Sequence, residues 1–154
     1  MKVDTSHIEI DLPENWEVEI SSRIKENDIK ERDQDIHTIS LKKSNTICSL
    51  LIESIEIPLY PFEDIDPENQ VKPYQISEFV GRVRKCSFGD FSGVFELELW
   101  DEDEGEVIVK NYILTSGRLS LQVKARSLRS ASKIDLAEAE NILSSLKTKN
   151  NQNA

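Results

Sequence analysis

The cleanest signal in this 154-residue chain is an alternation of period two: Leu119, Leu121, Val123 and Ala125 are separated by Ser120, Gln122, Lys124 and Arg126. Successive strand side chains point to opposite faces, so the pattern requires a strand with one buried and one wet face. A chain that repeats it must build a sheet and then cover the apolar side. The period recurs where Ile8, Ile10 and Leu12 alternate with His7, Glu9 and Asp11. It recurs again beyond a corner at 13–15, where Trp16, Val18 and Ile20 alternate with Glu17, Glu19 and Ser21. Residues 36–43 and 46–57 read as two strands joined at Ser44 and Asn45, and Leu50, Leu51 and Ile52 make the second apolar on both sides, hence interior. The run FGDFSG at 88–93 supplies a turn before Phe95, Leu97 and Leu99, whose neighbours Glu96 and Glu98 point the other way. An acidic hairpin turn at 101–106 leads into a strand over 107–114, and Ser116 and Gly117 turn the chain again.

Two stretches change period. Ile76, Phe79, Val80 and Val83 form a helical stripe, with Arg82, Arg84 and Lys85 at the end that favours cations. Leu136, Ala139, Ile142, Leu143 and Leu146 form a second stripe. There Asp135 and Glu138 occupy capping-box positions and Ile134 and Ala139 are placed for a hydrophobic staple, while Glu138, Glu140 and Asn141 face water. Residues 23–35, dense in charge, and 58–74, interrupted by Pro58, Pro61, Pro67 and Pro73, read as exposed connections. The length suits one core. The expectation is a single α+β domain over 1–148, a mostly antiparallel sheet of about six to seven strands flanked by helices, including a C-terminal helix, with 149–154 a disordered tail.

Composition excludes more than it assigns. With 29 acidic and 19 basic side chains the formal charge is −10, which makes phosphate backbones poor partners, so no nucleic acid is expected. Residues 1–10 carry Asp4, His7 and Glu9 where an export signal needs an apolar run, and 47–57 is broken by Glu53 and Glu56, so no membrane span is expected. Two cysteines, Cys48 and Cys86, fit a reducing compartment, and a cytoplasmic location is the expectation.

No catalytic set assembles. His7, Glu9 and Asp11 share a strand face but read as an ordinary solvated face, since neighbouring ligands would stand about 7 Å apart and a fourth group is wanting. Asp101, Asp103 and Gly105 resemble the start of a calcium loop, yet Glu106 stands where such a loop needs Gly and Tyr112 where it needs Glu. His37 is the better of two possible bases, but no serine lies in a nucleophile-elbow motif. Cys48 sits in apolar sequence that disfavours a thiolate, and Cys86 near a helix carboxyl end that opposes one. The glycines at 81, 89, 93, 105 and 117 form no phosphate cradle. Neither an enzyme nor a cofactor or metal site is expected.

The run LPENW at 12–16 after the opening strand, the FSG turn at 91–93, three consecutive strands and the closing AENILSSLK resemble the Mog/PsbP-like group. That group takes in the oxygen-evolving-complex extrinsic protein, the Ran-binding Mog protein and many bacterial domains. The resemblance implies a sheet flanked by helices and a binding role without catalysis. It transfers no site residue.

Charge distribution points to the working surface. Residues 96–106 hold seven acids and no base, whereas 118–133 hold five bases and no acid. Glu96 and Glu98 could lie across strands from Lys110 or Lys124. The hairpin tip has no local base, and an aromatic beside acids on a rigid turn suits docking to a basic protein. The expected function is therefore a non-catalytic acidic protein-interaction module, adaptor or immunity-like, binding through Trp100, Asp101, Glu102, Asp103, Glu104 and Glu106. Trp100 could instead lie beneath a flanking helix. The alternative function, independent of Trp100, is that of a small-ligand binder or enzyme with a site under the 58–74 loop. In that reading Tyr60, Phe62, Glu63, Asp64 and Tyr74 line a pocket.

Overall fold

The computed structural model describes residues 1–25, 34–56 and 83–149. Among them are β1 (Lys2–Asp4), β2 (Ile8–Asp11), β3 (Trp16–Lys25), β4 (Gln34–Lys43), β5 (Ser49–Glu56), β6 (Arg84–Phe88), β7 (Phe91–Glu102), β8 (Gly105–Ser116) and β9 (Leu119–Leu128). A 3-10 turn (Arg129–Ala131), the helix α1 (Ser132–Ser144) and β10 (Lys147–Thr148) follow. The large sheet has seven strands in the order β3-β4-β5-β9-β8-β7-β6, every pairing antiparallel, and a small sheet has the order β1-β2-β10. The antiparallel sheet and the closing helix are as the period-two pattern predicts. The balance is not: the described residues are sheet-dominated and carry one α-helix.

Register turns alternation into two faces. Ile20, Ile39, Ile52, Val123, Tyr112 and Phe95 form one cross-strand row. One residue along each strand, Glu19, Ser40, Leu51, Lys124, Asn111 and Glu96 form a row on the opposite face. The first face is the core. Buried Ile39, Leu41, Leu50, Ile52, Leu121 and Val123 meet Ala139, Ile142 and Leu143 of α1 and Ile8 and Ile10 of the small sheet. At the β6–β7 turn Gly89 has φ +56°, and a Cβ there would stand 2.3 Å from the carbonyl oxygen of Leu146, so only glycine lets this turn close on the end of the helical segment.

Three local expectations are corrected. Arg84 and Lys85 open β6 rather than end a helix, while the stripe residues Ile76, Phe79 and Val80 lie outside the described residues. Arg23, Ile24 and Lys25 continue β3 rather than an exposed connection, because Arg23 pairs with Ile36 and Ile24 with Asp35 across β4. Finally, α1 starts at Ser132 with Ala131 as N-cap and no side-chain cap, so Asp135 and Glu138 form no capping box, and Ile134 is 66% exposed rather than stapled.

The acids of α1 hold the helix to the sheet instead of facing water. Lys43 Nζ donates to Asp135 Oδ1 at 2.9 Å and Glu138 Oε2 at 2.5 Å, and Ser127 Oγ donates to Asp135 Oδ2 at 3.2 Å. Lys110 Nζ pairs with Glu140 Oε2 at 2.6 Å, a carboxylate that also accepts from Tyr112 Oη at 3.0 Å, and lies 4.3 Å from the Phe95 ring centroid. Lys147 and Thr148 pair with Glu9 and Ile8, and Lys149 N donates to His7 O at 2.9 Å. The rest of the tail, 150–154, lies outside the described residues.

Replacing Lys43 with Met leaves Asp135 and Glu138 without their cation. Its expected cost is about 3 kcal/mol, the low end for a broken buried pair because the lysine is partly exposed. Urea unfolding of both proteins checks this, and a loss below about 1 kcal/mol would mark the pairs as incidental.

Candidate binding face

The sheet face turned away from α1 carries a cleft of about 420 Å³. Its walls are Leu51 and Glu53 from β5, Glu96 and Glu98 from β7, Asn111 and Ile113 from β8, and Gln122 and Lys124 from β9. Glu96, Asn111, Lys124 and Leu51 are register partners, so four strands deliver this row together. The two carboxylates two residues apart on β7 have different surroundings. Glu98 accepts a hydrogen bond from Asn111 Nδ2, whereas Glu96 is 3% exposed and its Oε2 is buried with no hydrogen-bond partner. Burial, and next the charge of Glu98, raise the Glu96 carboxyl above the ordinary carboxylate range. Glu53 faces Arg23 Nη2 at 3.8 Å. Lys110, expected across from Glu96 and Glu98, lies on the core face with Glu140 instead, whereas Lys124 shares their face.

On the same face of β7, two residues beyond Glu98 and so about 7 Å along the strand, Trp100 is 52% exposed. It does not lie beneath the helix. Beyond it the chain turns at Asp103 and Glu104 between β7 and β8. The expectation of no local base at this tip is corrected in part: Arg126 pairs with Glu102, and Arg129 Nη1 with Glu106 Oε1 at 3.3 Å. Asp101, Asp103 and Glu104 are exposed with no ion pair among the described residues. The pocket residues Tyr60, Phe62, Glu63, Asp64 and Tyr74 lie outside the described residues.

Two other clusters sit on the core side. His7, expected on a solvated face with Glu9 and Asp11, is buried, shares a hydrogen bond through Nδ1 with Ser54 Oγ at 3.0 Å, and meets His37 edge-on with ring centroids 4.4 Å apart. His37 Nε2 in turn shares a hydrogen bond with Ser6 Oγ at 3.0 Å. Burial first, then the neighbouring His37, holds the His7 imidazole below its ordinary pKa, against Glu56, Asp35 and the bond to Ser54. The cysteines are poor nucleophiles. Burial pushes the Cys48 thiol up to about 12 and the Cys86 thiol, in strand β6, up to about 11. Among the described residues no group of three or more His, Cys, Asp and Glu side chains could hold a metal ion.

No protein-family model and no curated protein matches this chain. Solved structures that share its fold include a crystal structure from Bacteroides thetaiotaomicron VPI-5482, 11% identical with a TM-score of 0.58 over 92% of this chain and 45% of that one. Another is LpqN of Mycobacterium tuberculosis, involved in cell envelope biogenesis, 14% identical with a TM-score of 0.54 over 92% of this chain and 83% of that one. The chain thus spans less than half of the Bacteroides protein. These likenesses concern the backbone. Among the described residues no helix is long and apolar enough to cross a membrane.

Reading the sequence placed Glu96 on the correct face but as a solvated acid, and it missed the cleft. Alternation reports side, not depth, and Leu51 opposite Lys124 and Ile113 opposite Gln122 were the signals that this face is partly apolar. Two titrations follow. A raised carboxyl stabilises the fold below its ordinary value of 4.5 and loses that contribution as pH rises through the folded value. Glu96→Gln is therefore expected to gain about 1 kcal/mol at neutral pH, a gain that fades toward pH 4.5 in urea unfolding. A lowered imidazole contributes in full above its ordinary value of 6.5 and loses stability as pH falls below it. His7→Asn cannot titrate, so its stability should fall less than the wild type's below that pH, by about 1.4 kcal/mol per unit of lowering.

Proposed function

We propose that this chain is a non-catalytic binding protein that docks a partner with a basic surface through the β7–β8 arm, as an adaptor or immunity-type protein would. The observation that carries this reading is Trp100, half out of solvent contact on a paired strand and followed by Asp101, Asp103 and Glu104. An exposed indole supplies desolvation energy and a face for cations, and carboxylates beside it speed and orient the encounter with positive charge. The arginine pairs at Glu102 and Glu106 support it as well, because they brace the base of the arm while leaving the tip negative. The Mog/PsbP-like resemblance and a cytoplasmic location belong to the same proposal: such domains bind rather than catalyse, and free Cys48 and Cys86 suit reducing surroundings.

Affinity capture with the immobilised protein tests it. Asp101→Lys, Asp103→Lys and Glu104→Lys together reverse the tip without breaking its arginine pairs and should abolish capture of basic proteins, while Trp100→Ala should weaken it at least tenfold. Wild-type capture should fall as salt rises. Equal recovery by the reversed tip would remove the arm from the function.

A further inference from the structure

Burying Glu96 beside Glu98 is costly unless something neutralises it. A buried carboxylate oxygen without a partner forfeits the hydrogen bonds that water would give it. Among the described residues two donors of the adjoining strand are committed elsewhere: Asn111 to Glu98, and Lys110 to Glu140 across the sheet. Among the described residues the cleft walls carry three carboxylates, Glu53, Glu96 and Glu98, of which Glu53 faces Arg23, against one lysine, Lys124. Between them Leu51 and Ile113 present apolar surface that is only half buried. The volume of about 420 Å³ lies within the range of small-molecule sites.

Together these features describe a complementary shape: one positive hydrogen-bond donor, an aliphatic stem, and nothing negative at the head. We propose that the cleft binds an organic cation, an alkyl-ammonium or alkyl-guanidinium group, whose head meets Glu96 beside Glu98 and whose stem lies over Leu51 and Ile113. The inference stands apart from docking by the arm, because Trp100 and the tip acids do not line the cleft. Protonation of Glu96 removes the charge that the head group meets, so cation and proton compete for it.

Titration calorimetry on the full chain, with chemical-shift mapping by NMR, tests this with agmatine, cadaverine, N-acetyl-arginine amide and, as anionic control, succinate. At least one cation should bind and shift Leu51, Glu96 and Ile113, and succinate should not. Glu96→Gln should weaken that cation at least tenfold while melting no lower than the wild type, and Glu14→Gln, at an exposed acid outside the cleft, should leave it unchanged. Affinity should fall as pH is lowered toward the Glu96 titration. Preference for agmatine or cadaverine supports a free amine as the source of the head group, and preference for the capped arginine supports a protein side chain. Absence of binding by all three cations, or an unchanged affinity in Glu96→Gln, overturns the proposal. A failure of the tip variants in affinity capture leaves these outcomes untouched.

Discussion

Two lysines on the core face of the sheet, Lys43 and Lys110, set the position of the one described helix. A sheet of seven strands has more apolar surface on one side than a 13-residue helix can specify by shape alone, since hydrophobic contact is non-directional. Charge-assisted bonds are directional. Lys43 grips Asp135 and Glu138 near the start of α1 and Lys110 grips Glu140 a half-turn on, so the helix is pinned in rotation and in register along the strands. The consequence reaches the far side. With α1 and the small sheet committed to one face, the cleft lies on the opposite one, among its polar rows.

Much of this architecture was legible before any coordinates, and the losses have physical causes. Strands with strict alternation, such as 119–126, were readable because each residue's environment depends on its parity alone. The helix was readable by its stripe, but its acids were misread as solvated. Helical periodicity says which residues face away from the apolar stripe, and cannot show that Lys43, 92 and 95 residues earlier in the chain, comes to meet Asp135 and Glu138. The strands β1 and β10, three and two residues long, are too short to display a period. At the hairpin tip, counting bases only within 96–106 overlooked Arg126 and Arg129, which β9 and the following turn bring alongside. The basic run at 118–133 was noticed, and part of it is the acid run's own partner.

The buried histidine pair illustrates how a short sheet is joined to a long one. His7 closes on Ser54 and His37, residues of β5 and β4, where Lys149 also reaches its carbonyl. Burial holds the His7 imidazole below its ordinary pKa, so the join is firm while His7 is neutral and loosens when acid charges it. Nothing in the period of residues 7–12 marks this, because His7 stands at the strand's threshold, where alternation no longer reports burial.

Glu96 and Glu98 are the sharpest contrast in the molecule: one residue type, one strand, one face, two fates. An amide donor next to Glu98 satisfies it from within the fold, whereas Glu96 two residues away lines the cleft with one buried oxygen unmet. Folding alone would favour glutamine at 96, which fills the same volume without the burden of charge. That the position holds an acid, within a cleft that carries two further carboxylates against Lys124, is accounted for by the proposed binding of a cation there. Strain of this kind is affordable only against a rigid backing, and the backing here is the helix clamped to the other side of the same strands by Lys43 and Lys110.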